Sequence, residues 1–536
     1  MLRRDFLRAG VLSGAAALVP ELAKGEEVLE KTRVDDFELE EVTITDLQRE
    51  MASGKRSSQS ITRDYLERIE SMDRRGPTIR AVIETNPDAL SIARALDDER
   101  KSRGPRGPLH GVPIILKDNV DTADRMTTTA GSYALEGSIP SRDATLAKRL
   151  RDAGAVLLAK ANLSEWANFR SSHSSSGWSG RGGQARNPYV LDRNPCGSSS
   201  GSGASVSANF CTVAIGTETD GSIVCPASIN GIVGIKPTLG LVSRAGVIPI
   251  AHSQDTAGPM ARTVADAAIL LNAISGVDSR DSATAASRGK SSSDYTRFLD
   301  ANALKGARIG VAREKLSGYN DATDKLISDA IALMKDRGAV IIDPANIATM
   351  GKYDDTEFEV LLYEFKADLN SYLASLPNAK VKSLKDIIAF NERDKAREMP
   401  WFGQEIMIMA EKKGSLKSSK YLAALAKNHR LSRTEGIDAT MSKHRLDAIV
   451  CATGNPAWPT DLINGDHFTG GSSTPAAVAG YPHITVPAGF ATGLPVGISF
   501  FGRAWSENKL IALAYAYEQA SKHRRPPRFQ ATLTTG

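Results

Sequence analysis

The sequence has little that would commit it to a metal, a bilayer or a nucleic acid. Its four cysteines, Cys196, Cys211, Cys225 and Cys451, show no metal-ligand spacing such as C-x-x-C. Beyond the N-terminus no 18 apolar residues run together, which excludes a membrane-spanning helix in the body of the chain and leaves no stable membrane anchor. The formal net charge is only +5, falling to +3 once residues 1–25 are set aside, too mild a surplus to argue for nucleic acid. There are no tandem repeats. What remains, 41% hydrophobic and 24% charged over 536 residues, is enough for one large core with an appended region or for two domains.

The first 25 residues, MLRRDFLRAGVLSGAAALVPELAKG, place Arg3-Arg4-Asp5-Phe6-Leu7 before a short apolar run from Ala9 to Val19. This resembles a twin-arginine export signal, with Ala23-Lys24-Gly25 as a small-x-small cleavage site and no cysteine for a lipid anchor. An amphipathic helix is the alternative. Export, to the periplasm, is the expectation. Twin-arginine substrates cross the membrane folded, from a reducing compartment, so the cysteines are expected to be free and mostly buried although two disulfides could be drawn.

Residues 40–103 carry helical patterns, with capping residues before apolar stripes at Ile44-Thr45-Asp46-Leu47 and at Ser60-Ile61-Thr62. From 104 onward short apolar runs alternate with Gly and Pro: Val112–Leu116, Ala155–Ala159 and Val213–Gly216, with a helical stretch from Ala144 to Ala153 between the first two. Strands interleaved with helices imply an α/β fold around a largely parallel or mixed sheet. Residues 281–294, DSATAASRGKSSSD, read as a linker, and 307–343 as a strand-helix-strand unit. Residues 353–446 read as mostly helix, with a methionine cluster at 399–409 suited to core packing or to lining an apolar substrate funnel. Strand texture returns at 447–451, 484–486 and 496–501, and the basic run Lys522-His523-Arg524-Arg525 reads as a solvated helix terminus.

The stretch Cys196–Gly203, CGSSSGSG, contains G-x-S-x-G and nominates Ser199 as an esterase-type nucleophile. That motif needs an apolar strand running into the serine, and NPYVLDRNP, with two prolines, is not one. None of the eight histidines stands where a base is needed; His110, His252, His467 and His483 lie beside turn residues and His173 in a serine-rich loop. Ser222 is better placed, because Ala214-Ile215-Gly216-Thr217 ends in the small-residue turn Thr219-Asp220-Gly221-Ser222 whose backbone N–H groups can converge on an oxyanion. By itself this is also what a surface turn looks like. Lys117 closes the apolar run Val112–Leu116, where burial would lower its pKa enough for it to serve as a base; a strand-end lysine reaching solvent is the bland reading.

Taken together, Lys117, the loop at 197–203, Ser222, Gly231–Thr238 and the block 194–262 ending QDTAGPMAR resemble the amidase signature family over about residues 40–520. The resemblance implies a large mixed central sheet flanked by helices on both faces. It also implies one catalytic domain over 26–520, with an N-terminal helical region at 40–103, a core at 104–275 and 447–520, a variable helical region at 295–446, and a basic tail at 521–536. It implies a Ser-Ser-Lys triad of Ser222 as nucleophile, Ser198 as bridging serine after a cis peptide, and Lys117 as base, with the oxyanion held by the N–H groups of Thr219, Asp220, Gly221 and Ser222. No cofactor is implied. Asp220-Gly221 in place of two glycines, and CGSSSG in place of GGSSGG, resemble the peptide amidase branch, whose substrates are C-terminal peptide amides. The expected protein is thus an exported serine amidohydrolase acting on a small amide or peptide amide, as a monomer or homodimer. A glutaminase subunit of a tRNA-dependent amidotransferase and a non-catalytic amide-binding protein on the same scaffold are the alternatives.

Overall fold

In the computed structural model residues 37–534 are described, and the signal-like segment 1–25 lies outside them. Among the described residues one sheet takes eleven strands. In chain order these are β1 Val82–Thr85, β2 Pro113–Lys117, β3 Val156–Ala161, β4 Val213–Glu218, β5 Val233–Lys236 and β6 Thr256–Ala261. They continue with β7 Arg308–Val311, β8 Val340–Ile342, β9 Ala448–Ala452, β10 His483–Ala491 and β11 Leu494–Phe501. The spatial order is β1-β3-β2-β4-β6-β5-β10-β11-β9-β7-β8. β2 runs parallel to both β3 and β4, β4 is antiparallel to β6, and β9, β7 and β8 are mutually parallel. The sheet is therefore mixed, with helices on both faces.

Every residue of β2, β3 and β4 is buried, which is why these strands read as continuous apolar runs rather than alternating ones. Around them the helices begin where the sequence supplies caps. Thr43 and Asp46 form a reciprocal capping box for helix Ile44–Ser53, and Ser57 with Ser60 does the same for Ser58–Arg68. The unit at 307–343 forms as read: β7, helix Asp321–Asp336 and β8. In the variable region, helices Asp354–Ser375, Leu384–Arg393 and Glu405–Glu411 bury Phe365, Leu369, Ile387 and Met407 in one cluster. Met407 is core, as expected of a packing role, whereas Met409 and Trp401 face outward.

Two readings are corrected. Residues 281–294 are not a linker: Asp281 accepts from Arg244 Nε and Nη2 at 2.8 and 2.6 Å, the following Ser282–Ser287 turn is 3-10 helical, and Thr284 and Ser287 are fully buried. Small polar residues pack there by hydrogen bonding locally, a signal indistinguishable in sequence from a flexible tract. Nor is the basic run at 522–525 simply solvated. Arg524 donates to Glu41 at 2.8 and 3.0 Å, to Tyr189 Oη at 2.6 Å and to the Ser207 carbonyl at 3.0 Å. It therefore places a cation at the C-terminal end of helix Ser200–Ser207, where the helix dipole favours one.

Candidate active site

Lys117 is the last residue of β2, and Thr217 and Glu218 are the last residues of β4, its parallel neighbour, so both strands deliver side chains to the same sheet edge. Ligands in α/β sheets gather at such carboxyl ends. Lys117 is fully buried, and its Nζ lies 2.8 Å from Ser198 Oγ, 2.9 Å from Thr217 Oγ1 and 3.3 Å from the Thr217 carbonyl. Burial pulls the ammonium down to about 7, against the opposing pull of the Asp255 and Glu218 carboxyls. A lysine with that titration is available as a base near neutrality.

The Gly197–Ser198 peptide is cis, as the family resemblance implied. A Cβ on Gly197 would stand 2.2 Å from Ser164 Oγ, so a larger residue there would displace the hydroxyl that accepts from the Gly177 N–H at 2.9 Å. Ser199 is not a nucleophile elbow. Its hydroxyl is fully buried, donating to the Thr217 carbonyl at 3.0 Å and accepting from the Thr217 N–H at 3.1 Å. Beyond it SGSGASVS forms a wholly buried helix, Ser200–Ser207. Gly201 belongs to that helix rather than to a strained turn: its Cβ would lie 2.2 Å from the Ala81 carbonyl and 2.4 Å from that of Asn162. The glycine thus lets helix and neighbouring backbone touch.

Ser222 sits in the turn between β4 and helix Val224–Ile229. The Glu218 carboxylate pins that turn by accepting from the N–H groups of Ile223 and Val224 at 2.7 and 3.0 Å. Thr219 Oγ1 donates to Asp255 at 2.6 Å, and Thr474 Oγ1 donates to Asp220 at 2.7 Å. Gly221 has φ +79°, and a Cβ there would come within 2.9 Å of Ser473 Oγ. Among the described residues, none of the N–H groups of Thr219, Asp220, Gly221 and Ser222 donates to another protein atom. Ser222 lines a cavity of about 360 Å³ that Gly197 also borders, and its carbonyl accepts from the Ser199 N–H at 3.1 Å. No hydrogen bond among the described residues joins Ser222 Oγ to Ser198 Oγ; such contacts commonly tighten only around substrate.

The expectation of four free thiols is corrected here. Cys196 and Cys225 form a disulfide across a sequence separation of 29, while Cys211 and Cys451 are free, buried and pushed up to about 12 by burial. The pair flanks the two serines, one cysteine two residues before Ser198 and the other three after Ser222. The packing that brings the serine loops together brings the sulfurs together.

Sequence reading missed Thr217, Asn119, Glu218 and Asp255. Asn119 Nδ2 donates to Thr217 Oγ1 at 2.9 Å, which fixes the hydroxyl that contacts Lys117. Their only signal was position, two residues beyond Lys117, at the end of β4, and inside the QDTAGPMAR block. No histidine lines the cavity of Ser222. A larger cavity, about 440 Å³, reaches Asn119 and Thr217 but neither serine, and His252 borders it. His252 there pairs with Asp368 at 2.8 Å and Glu364 at 3.4 Å, the one metal-sized grouping of His, Cys and acidic side chains among the described residues.

The sequence model of the Amidase family matches residues 60–511. The chain belongs to the amidase family. The solved native peptide amidase from Stenotrophomonas maltophilia is 52% identical to this amidase, with a TM-score of 0.88, covering 92% of this chain and 99% of that one. A probable amidase of Arabidopsis thaliana is 45% identical over 507 residues, covering 92% of this chain and 93% of its relative. A glutamyl-tRNA(Gln) amidotransferase chain of Myxococcus xanthus stands further off, at 34% identity over 90% of this chain and 98% of its own. This amidase is accordingly a hydrolase of the amidase signature class and is close in structure to peptide amidase.

Proposed function

We propose that this amidase hydrolyses a carboxamide to carboxylate and ammonia through Ser222, Ser198 and Lys117. The contact that carries the reading is Lys117 Nζ at 2.8 Å from Ser198 Oγ, inside a buried strand end beside the turn of Ser222. Neutral Lys117 takes the Ser198 proton as Ser198 takes that of Ser222. Ser222 Oγ attacks the amide carbon, and the N–H groups of the 219–222 turn, uncommitted elsewhere, receive the oxyanion. The proton returns through Ser198 to the amide nitrogen as the C–N bond breaks and ammonia leaves. Water then attacks the acyl-enzyme by the same relay, releasing the carboxylate and regenerating Ser222. Each half-reaction returns Lys117 to its neutral form, and no redox partner enters.

C-terminal peptide amides are the proposed substrates, supported by the 52% identity to a peptide amidase and by Asp220-Gly221 before the nucleophile. Export by a twin-arginine signal is proposed from residues 1–25. Ammonia release from a panel of aliphatic, aromatic and peptide amides tests the chemistry: release from at least one, lost in Ser222→Ala, is expected, and silence across the panel refutes it. For export, changing Arg3 and Arg4 to Lys is expected to retain the precursor in the cytoplasm, and continued export would refute the signal assignment.

A further inference from the structure

The cavity of Ser222 holds an unequal set of side chains. Phe169, Val224, Ile250, Leu361, Trp458 and Phe468 give it an apolar lining, and no Lys, Arg or His borders it. It holds two carboxyl groups, of which Asp220 keeps Oδ1 buried without a hydrogen-bond partner. Asp466 accepts from the Ser176 N–H at 3.0 Å, Asn194 Nδ2 at 3.0 Å and Trp458 Nε1 at 3.1 Å, and Asp220 accepts from Thr474. Two of the lining rings pair edge-on: Phe169 with Phe358, which lies outside the lining, at 6.1 Å, and Trp458 with Phe468, both in the lining, at 5.7 Å. Phe468 is 50% exposed, so this lining ring can be reached from solvent.

We infer that this amidase selects amides whose acyl portion carries a large apolar side chain, aromatic above all, next to the scissile carboxamide, and that it discriminates against acidic ones. The inference rests on the reading of this cavity as the acyl side of the substrate site. An apolar side chain leaving water for these walls gains free energy in proportion to the area it buries, and a ring can pair edge-on with Phe169 or Phe468. An acidic side chain meets the carboxyl groups of Asp220 and Asp466 and no cation, so its charge is desolvated without a partner. Its exclusion comes from what the cavity denies it. Phe468 is the specificity-determining residue of the opening: it is half exposed and supported by Trp458, so it can be truncated without opening the core.

The test is ammonia release from the N-acetyl amides of phenylalanine, leucine, alanine and aspartate. The phenylalanine and leucine compounds are expected to exceed alanine in kcat/KM by roughly 10- to 100-fold, with aspartate below alanine. Phe468→Ala should reduce the phenylalanine-to-alanine ratio, chiefly through KM, and Phe468→Leu should restore part of it. Equal rates across the four, or aspartate above alanine, would overturn the inference, as would an unchanged ratio in Phe468→Ala. If none of the four is hydrolysed while simple carboxamides are, the peptide-amide reading fails. The apolar preference is then read from 3-phenylpropionamide against propionamide, where equal rates overturn it and a preference for the phenyl compound sustains it.

Discussion

Replacing Lys117 by Met separates what the lysine does for chemistry from what it does to the fold. The side chain is fully buried and titrates near 7 rather than near 10.5. Between those values the unfolded chain binds a proton at this position that the folded chain does not, so wild-type stability rises with pH across that window. Each pH unit is worth about 1.4 kcal/mol, and the whole window about 5 kcal/mol, all of it set against the folded state at and below pH 7. Methionine has a similar length and no charge, so that pH-dependent cost vanishes in Lys117→Met. What the variant loses are the contacts to Ser198 Oγ and Thr217 Oγ1, an offset of about 1–3 kcal/mol per unpaired buried group that does not vary with pH. The diagnostic quantity is therefore the stability difference between the two proteins, measured by denaturant unfolding at pH 7 and pH 9. It should move by about 2 kcal/mol in favour of the wild type on going to pH 9. Turnover by Lys117→Met should fall by roughly 10²- to 10⁴-fold or more. Wild-type kcat/KM should climb about tenfold from pH 6 to pH 8 as the amine loses its proton near 7. A stability difference that does not change with pH would mean that the folded protein holds Lys117 charged, and the proton relay would have no base.

Three further outcomes are expected. Ser222→Ala should abolish turnover in the ammonia assay, whereas Ser199→Ala should keep substantial activity while losing about 1–3 kcal/mol in thermal unfolding, because the Thr217 N–H is left unpaired; the reverse pattern would restore the elbow reading. Replacing Cys196 and Cys225 by Ser should lower unfolding free energy by about 3–4 kcal/mol, the loop-closure estimate for a separation of 29, and should loosen the serine loops enough to lower kcat; wild-type activity and stability in the double variant would show that the bond is incidental. Gly201→Ala should cost about 3 kcal/mol or more, since the added Cβ meets backbone carbonyls at 2.2 and 2.4 Å that cannot swing aside, and an unchanged melting temperature would contradict the close packing described.

Sequence patterns found the strands because burial on both faces writes an uninterrupted apolar run, and they found Lys117 because a charged residue at the end of such a run is conspicuous. Helix Ser200–Ser207 was hidden by the same logic: serine and glycine are poor helix formers, and what holds SGSGASVS helical is contact with surrounding backbone. The disulfide, the Arg524–Glu41 pair and the packing of 281–294 all depend on which distant segments meet, a property that no local pattern records. The cysteine expectation failed for a further reason, in that it was argued from compartment instead of from geometry. Thr217 and Asp255 show the limit at the site itself: their residue types are ordinary, and only their distances to Lys117 and Thr219 give them a role.

The strand ends that hold Lys117 and the turn of Ser222 belong to β2 and β4, whereas Leu361 comes from helix Asp354–Ser375 and Trp458 and Phe468 from the stretch between β9 and β10. Part of the cavity wall, Leu361, Trp458 and Phe468, is thus drawn from other parts of the chain than Lys117 and Ser222, whereas Phe169, Val224 and Ile250 come from segments beside the core strands. Lys117 is held by sheet register, where a shift of one residue would turn it away from Ser198. Trp458 and Phe468 lie in a loop between strands, where insertions and exchanges come at small cost. An enzyme divided in this way can change what it recognises by recombination of its outer segments while inheriting the same bond-breaking apparatus intact.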